Sequence, residues 1–117
     1  MDLKLNYKGK SIRVKDVKIC DTVLSKFKGL MFANKDNAQV LVFKFKKPTN
    51  QAIHSLFVRF PFISIWLDEH GKVVEIRIIK PWKLYVKSKQ KFSKLIEVPI
   101  NKKYQEITKI IVGDRNI

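Results

Sequence analysis

Three side chains in this sequence are candidates for ligating a transition metal or attacking a substrate: Cys20, His54 and His70. Their spacing matches no zinc-binding pattern, because such patterns bring several Cys or His residues close together in the chain. His70 lies beside Gly71 in a predicted hairpin turn, where a solvated side chain is the usual outcome. Cys20 ends a predicted strand, and a free cysteine there usually packs as a small hydrophobic residue. We therefore predict no metal site and no cofactor.

The sequence also lacks the signatures of nucleophilic catalysis. Ser55 directly follows His54, and neighbouring residues of a strand point to opposite faces, so neither side chain can activate the other. Neither a G-x-S-x-G nor an H-E-x-x-H motif is present. We predict no catalytic residue, and a hydrolase or a metal enzyme is the least favoured class of protein.

Lysine is the most prominent polar residue. The 25 Lys and Arg residues outnumber 10 acidic residues, which gives a formal net charge of +15. Six lysines lie between Lys80 and Lys94, a segment with three aromatic residues and no acid. Because lysines neutralise phosphates and aromatic rings stack on unpaired bases, this segment predicts contacts with single-stranded nucleic acid. The predicted contacts are Lys80, Trp82, Lys83, Tyr85, Lys87, Lys89 and Lys91.

A second interpretation of these lysines stays open. The chain has 21 Lys and only 4 Arg, although arginine makes most base contacts and bidentate phosphate contacts. Lysines also occur along the whole chain, as on an ordinary solvated surface or in a protein encoded by AT-rich DNA. Under this interpretation the positive charge attracts nucleic acid nonspecifically.

Alternation of apolar and polar residues predicts most of the chain to be strands. Residues 3–19 predict a first hairpin, with a β-bulge where the phase of the alternation slips at Lys15-Asp16. Residues 40–43 predict a strand buried on both faces, and residues 53–57 predict another. Residues 63–78 predict a hairpin that turns at Gly71, where a glycine suits a positive φ.

The remaining segments complete a mainly β fold. A short helix is predicted from Asp21 or Thr22 to Phe27, ended by Gly29. Residues 95–98 predict a strand ended by Pro99, residues 101–106 one helical turn, and residues 107–112 a last strand. Seven or eight short strands with one or two short helices predict a small sandwich or a barrel-like domain.

The length of 117 residues predicts a single domain over residues 1–117. Hydrophobic residues make up 45% of the chain, enough for a core. The longest apolar runs are far shorter than the ~20 residues that span a bilayer, and the N-terminus lacks the apolar stretch of a signal peptide. We expect a cytoplasmic monomer with no membrane span.

Six short motifs occur in a distinctive order. Residues 28–32 are KGLMF, residues 53–64 are IHSLFVRFPFIS, and residues 66–74 are WLDEHGKVV. KPW at 80–82, EVP at 97–99 and GD at 113–114 follow. From about Cys20 onward, the chain thereby resembles the uncharacterised domain family DUF192. The resemblance implies a β-rich, sandwich or barrel-like domain with little helix, and it brings no assigned activity.

The recurrent residues of that family map onto this chain as Gly29, Leu30, Met31, His54, Arg59, Pro61, Asp68, Gly71, Pro81, Trp82 and Glu97. The glycines and Pro61 suit turns and a strand start. His54, Arg59, Trp82 and Glu97, together with Met31, are candidates to line a shallow pocket for an anion or a peptide. The alternative is a buried histidine and an Arg–Glu pair that only fix the strand ends.

Three positions depart from the family pattern. Val58 stands where the family usually has Met, and Asn101 stands where it usually has Gly. The aspartate that the family usually carries shortly after Pro61 is missing, and Ser64 lies in that stretch instead. Its loss removes an acid or metal ligand, which further weakens the case for catalysis.

Two functional hypotheses follow. The first is a non-catalytic binding module for an unknown small ligand or peptide, with a pocket at His54, Arg59 and Trp82. The alternative is a single-stranded nucleic-acid or ribonucleoprotein accessory that binds phosphates through residues 80–94.

Overall fold

The structure, a computed structural model, describes residues 2–21 and 29–112. Its strands are β1 (Leu3–Tyr7), β2 (Lys10–Val14), β3 (Val17–Cys20), β4 (Val40–Thr49), β5 (Phe62–Leu67), β6 (Val73–Ile79) and β7 (Phe92–Pro99). A 3-10 helix (Lys102–Tyr104) and helix α1 (Gln105–Val112) follow. The predicted mainly β class is confirmed, and the described residues form seven strands in two open sheets rather than a closed barrel. No helix in the described ranges is long and apolar enough to cross a membrane.

The first two strands form a hairpin, which is a two-stranded sheet of its own. β1 and β2 pair antiparallel, and Lys8 and Gly9 make the turn with positive φ angles. The predicted β-bulge is wrong, because the phase slip marks a change of sheet. Val14 ends β2, Asp16 turns the chain with a φ of 59°, and Val17 begins β3 in the second sheet.

The second sheet has five strands in the order β3-β4-β7-β5-β6. β3 runs parallel to β4, and the other neighbours pair antiparallel. The helix predicted from Asp21 or Thr22 to Phe27 falls largely outside the described residues. The hairpin of β5 and β6 is confirmed, with Gly71 at a φ of 79°. The Asp68 carboxylate accepts hydrogen bonds from the backbone N–H groups of His70 and Lys72.

Two predicted strands are wrong. Within residues 53–57 only Ile53 makes a β-bridge, to Val86. Residues 107–112 belong to α1, and the Asn101 side chain accepts a hydrogen bond from the Tyr104 N–H at the start of this helical stretch. The buried residues Tyr104, Ile107 and Ile111 recur at helical spacing, so burial of one helix face outweighs the β preference of isoleucine.

The five-stranded sheet is covered differently on its two faces. On the helix face, residues such as Val42, Ile65 and Ile96 pack against the β1–β2 hairpin, Tyr104 and α1. On the loop face, the sheet packs against the connections around residues 29–38, 53–61 and 79–92. These connections carry the candidate site.

Candidate functional site

A buried serine holds two distant loops of this face together. Ser55 is fully buried, its N–H donates to the Lys83 carbonyl over 2.8 Å, and its carbonyl accepts from the Trp82 N–H over 2.9 Å. Its hydroxyl donates to the Lys80 carbonyl and accepts from the Lys83 N–H, both over 2.7 Å. Two further backbone bonds join Ile53 to Val86. Ser55 therefore fixes where residues 80–86 lie.

Three exposed aromatic side chains meet on top of these loops: Phe32, Phe57 and Trp82, here called the aromatic cluster. The Phe32 and Phe57 rings stack with centroids 5.0 Å apart, and the Phe57 and Trp82 rings meet edge to face at 4.9 Å. Phe32 is 62%, Phe57 42% and Trp82 57% exposed. Rings of this size are usually buried, so the cluster is an apolar surface left open to solvent.

All three residues of the aromatic cluster have a left-handed backbone. Their φ angles are 60° for Phe32, 59° for Phe57 and 62° for Trp82. Such angles are uncommon for bulky side chains and carry strain that the surrounding structure must offset. The Phe32 N–H donates to the Phe57 carbonyl over 3.0 Å, which joins two of the strained positions. Strain concentrated in one exposed cluster is typical of functional sites.

The residues of the predicted pocket are found in different environments. Trp82 belongs to the aromatic cluster and is exposed, and Arg59 is exposed. Met31 and His54 are half-buried, and His54 Nδ1 accepts a hydrogen bond from the Leu56 N–H over 3.1 Å, which stabilises the local turn. Glu97 is buried. No described salt bridge joins Arg59 to Glu97, so the interpretation of these two as an ion pair is not supported.

Glu97 lies on the loop face of β7 in apolar surroundings. Its neighbours across the sheet are Leu41 on β4 and Ser64 on β5, and its Oε1 atom is 3.5 Å from the position that a Cβ of Gly29 would take. Burial raises the pKa of Glu97 to about 8, because the charged form loses its hydration. The carboxyl is therefore mainly protonated at neutral pH.

Two polar atoms are buried on this face without a partner. Ser64 Oγ and Trp66 Nε1 have no hydrogen bond and lie on β5, two residues apart. Side chains two residues apart on a strand share a face, so both point to the same side of the sheet as Glu97. Buried polar groups are normally bonded, which makes this a second unusual feature of the loop face.

The predicted nucleic-acid contacts lie in the exposed loop that connects β6 to β7. Every member is exposed: Lys80, Trp82, Lys83, Tyr85, Lys87, Lys89 and Lys91. The described salt bridges of Asp2, Asp16, Glu69 and Glu75 involve none of these lysines. Glu75 is bound to Arg77, and the Lys89 N–H donates to its carboxylate over 2.7 Å. The backbone of Lys89 is therefore anchored to a carboxylate.

The remaining candidates for chemistry are separated from one another. Cys20 is buried at the end of β3, and burial raises the pKa of its thiol. His70 is exposed in the β5–β6 turn, as predicted. Among residues 2–21 and 29–112, no three His, Cys, Asp or Glu side chains are grouped to hold a metal ion.

Sequence reasoning finds Trp82 but misses Phe32, Phe57 and the role of Ser55. The alternation places Phe57 in a strand, and Ser55 stands out in the sequence only as a candidate nucleophile. All three lie within motifs that carry the family resemblance, Phe32 in KGLMF and Ser55 and Phe57 in IHSLFVRFPFIS, but nothing in the motifs indicates their roles.

Comparisons with known proteins agree on the family. The model of the DUF192 family, described as "Uncharacterized ACR", matches residues 4–116. A UPF0127 protein of Pyrococcus furiosus is 32% identical over 108 residues, which cover 92% of this chain and 90% of that protein. A UPF0127 protein of Thermococcus kodakarensis is 37% identical over 94 residues, covering 80% of this chain and 59% of that protein.

A solved structure supports the fold. The crystal structure of a protein of unknown function from Novosphingobium aromaticivorans has a TM-score of 0.73 at 12% identity, and the match covers 92% of this chain and 77% of that one. At this identity the likeness concerns the fold alone. Since the family model spans nearly all of the sequence, the chain belongs to the DUF192 family, whose archaeal relatives are the UPF0127 proteins.

Proposed function

We propose that this protein is a non-enzymatic binding module that holds unpaired bases of a single-stranded nucleic acid against the aromatic cluster. The observation that carries the proposal is the cluster itself, three exposed rings in contact, each on a left-handed backbone. Exposed apolar surface and backbone strain both cost free energy. A ligand that covers the rings would offset part of this cost.

The shape of the cluster suits flat groups. Phe32 and Trp82 lie at its two ends and are more exposed than Phe57 between them, so each end offers a ring to a planar partner. Base–aromatic stacking contributes about 1–3 kcal/mol per base and tolerates any sequence. Bases in a duplex are already stacked on their neighbours, which favours an unpaired strand.

The charge around the cluster suits phosphates. Lys80 and Lys83 flank Trp82 in the chain and are exposed, and the carboxylates of the described salt bridges pair with other residues. A nucleic acid presents a phosphate beside every base, whereas an apolar protein partner would leave these lysines unused. The net charge of +15 speeds encounter with a polyanion.

Binding of an oligodeoxyadenylate of about ten nucleotides, followed by fluorescence anisotropy, tests the proposal. We expect Phe57→Ala, which removes the ring that holds the two end rings in place, to weaken binding by about tenfold, an effect as large as the loss of one stacked base. Ile110→Ala is the matched control, because Ile110 is exposed to the same degree, 40% against 42%, but lies on α1 beyond the opposite face of the sheet. It should leave the affinity unchanged.

A salt series tests the contribution of the lysines. Replacing Lys80 and Lys83 with Gln should flatten the slope of log affinity against log salt by about 0.7 for each phosphate that is no longer neutralised. The matched pair Lys102→Gln and Lys109→Gln, exposed near and on α1, should leave the slope unchanged. Absence of binding at low salt, equal loss with Ile110→Ala, or equal affinity for a duplex would each overturn the proposal. So would an apolar peptide that binds the cluster when the oligonucleotide does not.

A further inference from the structure

Two rings of the aromatic cluster lie at the third position of a β-turn. Phe32 is third in the turn of residues 30–33, and Phe57 is third in the turn of residues 55–58. Each turn is closed by a hydrogen bond of 3.1 Å from its fourth N–H to its first carbonyl. A positive φ at the third position is the geometry of a type II turn, where glycine is the usual residue. These turns therefore present rings at positions that favour a residue without a side chain.

The turn that carries Trp82 is closed by a side chain from another loop. Trp82 is third in the turn from Lys80 to Lys83, and Pro81 suits the second position of a type II turn. The Ser55 hydroxyl lies between the two groups that close such a turn. It donates to the Lys80 carbonyl and accepts from the Lys83 N–H, both over 2.7 Å. The hydroxyl thus completes the third turn.

The backbone of Ser55 joins this turn to the one that carries Phe57. The Ser55 carbonyl closes the turn of residues 55–58 and also accepts from the Trp82 N–H over 2.9 Å. The Phe57 and Trp82 rings meet edge to face, with centroids 4.9 Å apart. One residue therefore sets the relative position of two rings of the aromatic cluster.

We propose that Ser55 is a positioning residue for binding at the aromatic cluster: its hydroxyl holds the turn from Lys80 to Lys83 in the form that presents the Trp82 ring to a base. The inference rests on the proposed function, because it takes the aromatic cluster to be the binding surface. Ser55 itself is fully buried, so it acts on the ligand through Trp82 and not by contact.

The hydroxyl is needed because the backbone of Trp82 is strained. A φ of 62° at a bulky residue persists only where the surrounding structure imposes it. In Ser55→Ala the Lys80 carbonyl and the Lys83 N–H lose their shared partner, and water can replace it because both lysines lie at the surface. The chain should therefore fold, while its turn relaxes toward a commoner backbone and the Trp82 ring is held loosely.

Amide hydrogen exchange of the ligand-free protein tests this positioning directly. The measured quantity is the exchange rate of the Trp82 amide, whose own acceptor, the Ser55 carbonyl, is kept in Ser55→Ala. We expect the rate to rise by up to about tenfold, since the turn opens more often without one of its hydrogen bonds. The reference is the Asp68 amide, which is bonded to the Lys72 carbonyl in the β5–β6 turn and should not change.

Two further variants control for size and for the loss of any buried hydroxyl. Ser55→Cys keeps a group of similar shape that hydrogen-bonds only weakly, and its Trp82 exchange rate should lie between those of the natural chain and Ser55→Ala. If Ser55→Ala does not fold, Ser55→Cys serves for the same comparison. Ser88→Ala is the matched control, because the Ser88 hydroxyl is buried in the same loop and donates to the Gln90 carbonyl over 2.7 Å. It should leave Trp82 exchange unchanged.

A double-mutant cycle on oligodeoxyadenylate binding separates positioning from a general loss of stability. We expect Trp82→Ala to weaken binding by about tenfold and Ser55→Ala by about threefold. The double variant should bind no more weakly than Trp82→Ala alone, because the hydroxyl acts through the ring. Losses that multiply in the double variant, or an equal loss with Ser88→Ala, overturn the inference.

The two measurements also distinguish this inference from the proposed function. If the oligonucleotide binds to none of these chains, the proposed function fails, while Trp82 exchange still decides whether Ser55 holds the turn. If the natural chain and Ser55→Ala bind equally well, or if Trp82 exchange is the same in both, the role of Ser55 fails alone.

Discussion

The apolar side chains on the two faces of the five-stranded sheet are covered by different kinds of structure. The helix face is closed by a hairpin and a helix whose buried polar groups are bonded, as where the Thr108 hydroxyl donates to the Tyr104 carbonyl over 3.0 Å. The loop face is closed by irregular segments and keeps unbonded polar atoms on Ser64 and Trp66, a protonated Glu97, and strained exposed rings. We infer that the helix face supplies stability and that the loop face sacrifices some stability for binding.

The largest expected effect is a loss of stability without a loss of binding affinity. Ile65 is fully buried on the helix face, so Ile65→Ala should lower the free energy of unfolding by about 2–5 kcal/mol through reduced burial and the cavity left behind. Because Ile65 points away from the loops, the affinity of the folded variant for oligodeoxyadenylate should not change. Urea unfolding and anisotropy below the unfolding midpoint measure the two quantities. An affinity loss as large as that of Phe57→Ala would show that the faces are not independent.

The next effect concerns the pH dependence of stability on the loop face. The pKa of Glu97 is about 8 in the folded chain and 4.5 by default in an unfolded one. Between these values the folded state holds a proton that the unfolded state has released. The free energy of unfolding should therefore fall as pH rises across this window, by about 1.4 kcal/mol per pH unit from this group, and level off above about pH 8.

Urea unfolding at several pH values, compared between the natural chain and Glu97→Gln, isolates this contribution. The stability difference between them should change across the window, since Gln has no proton to release. Other titrating groups act equally on both chains and cancel. Parallel stability curves from about pH 5 to about pH 8 would mean that the carboxyl is hydrated in the folded state.

The difference between the two faces also explains which strands and helices could be predicted from the sequence. β5 and β6 are predictable because apolar residues alternate and Gly71 marks their turn, both local signals. α1 resembles a strand in sequence because its isoleucines favour β structure. The helical spacing of Tyr104, Ile107 and Ile111 can be recognised only once the sheet face that these residues cover is known. The strand prediction for residues 53–57 failed for a related reason, since their bonding partners lie in residues 80–86.

The candidate site was less predictable than the fold. The family resemblance selects Trp82 and Glu97, and the lysine-rich segment selects Trp82 as well, but the sequence does not show that Trp82 is exposed or that Glu97 is buried and protonated. Phe32 and Phe57 could not be assigned to a cluster, because a left-handed backbone at an aromatic residue breaks the local preference and exists only where tertiary contacts impose it. Binding sites are the places where local rules are expected to fail.

The smallest effect tests the strain in the aromatic cluster directly. Glycine adopts a positive φ without the penalty of about 1–2 kcal/mol that other residues incur, although it loses about 0.5–1 kcal/mol relative to alanine through its more flexible unfolded chain. At Phe32, with a φ of 60°, Phe32→Gly should therefore be more stable than Phe32→Ala by up to about 1 kcal/mol. If the dependence of the unfolding free energy on urea concentration has the same slope in both variants, their unfolding midpoints give the difference in stability.

Leu84 provides the matched control. It is exposed on the loop that carries Trp82, and it is not among the residues with a positive φ. Leu84→Gly should therefore be less stable than Leu84→Ala, the opposite order to that at Phe32. Both Phe32 variants should bind the oligonucleotide equally weakly, because each removes the ring. If alanine is the more stable replacement at Phe32 as well, the backbone there is relaxed, and the loop face carries exposed rings without the strain that we attribute to it.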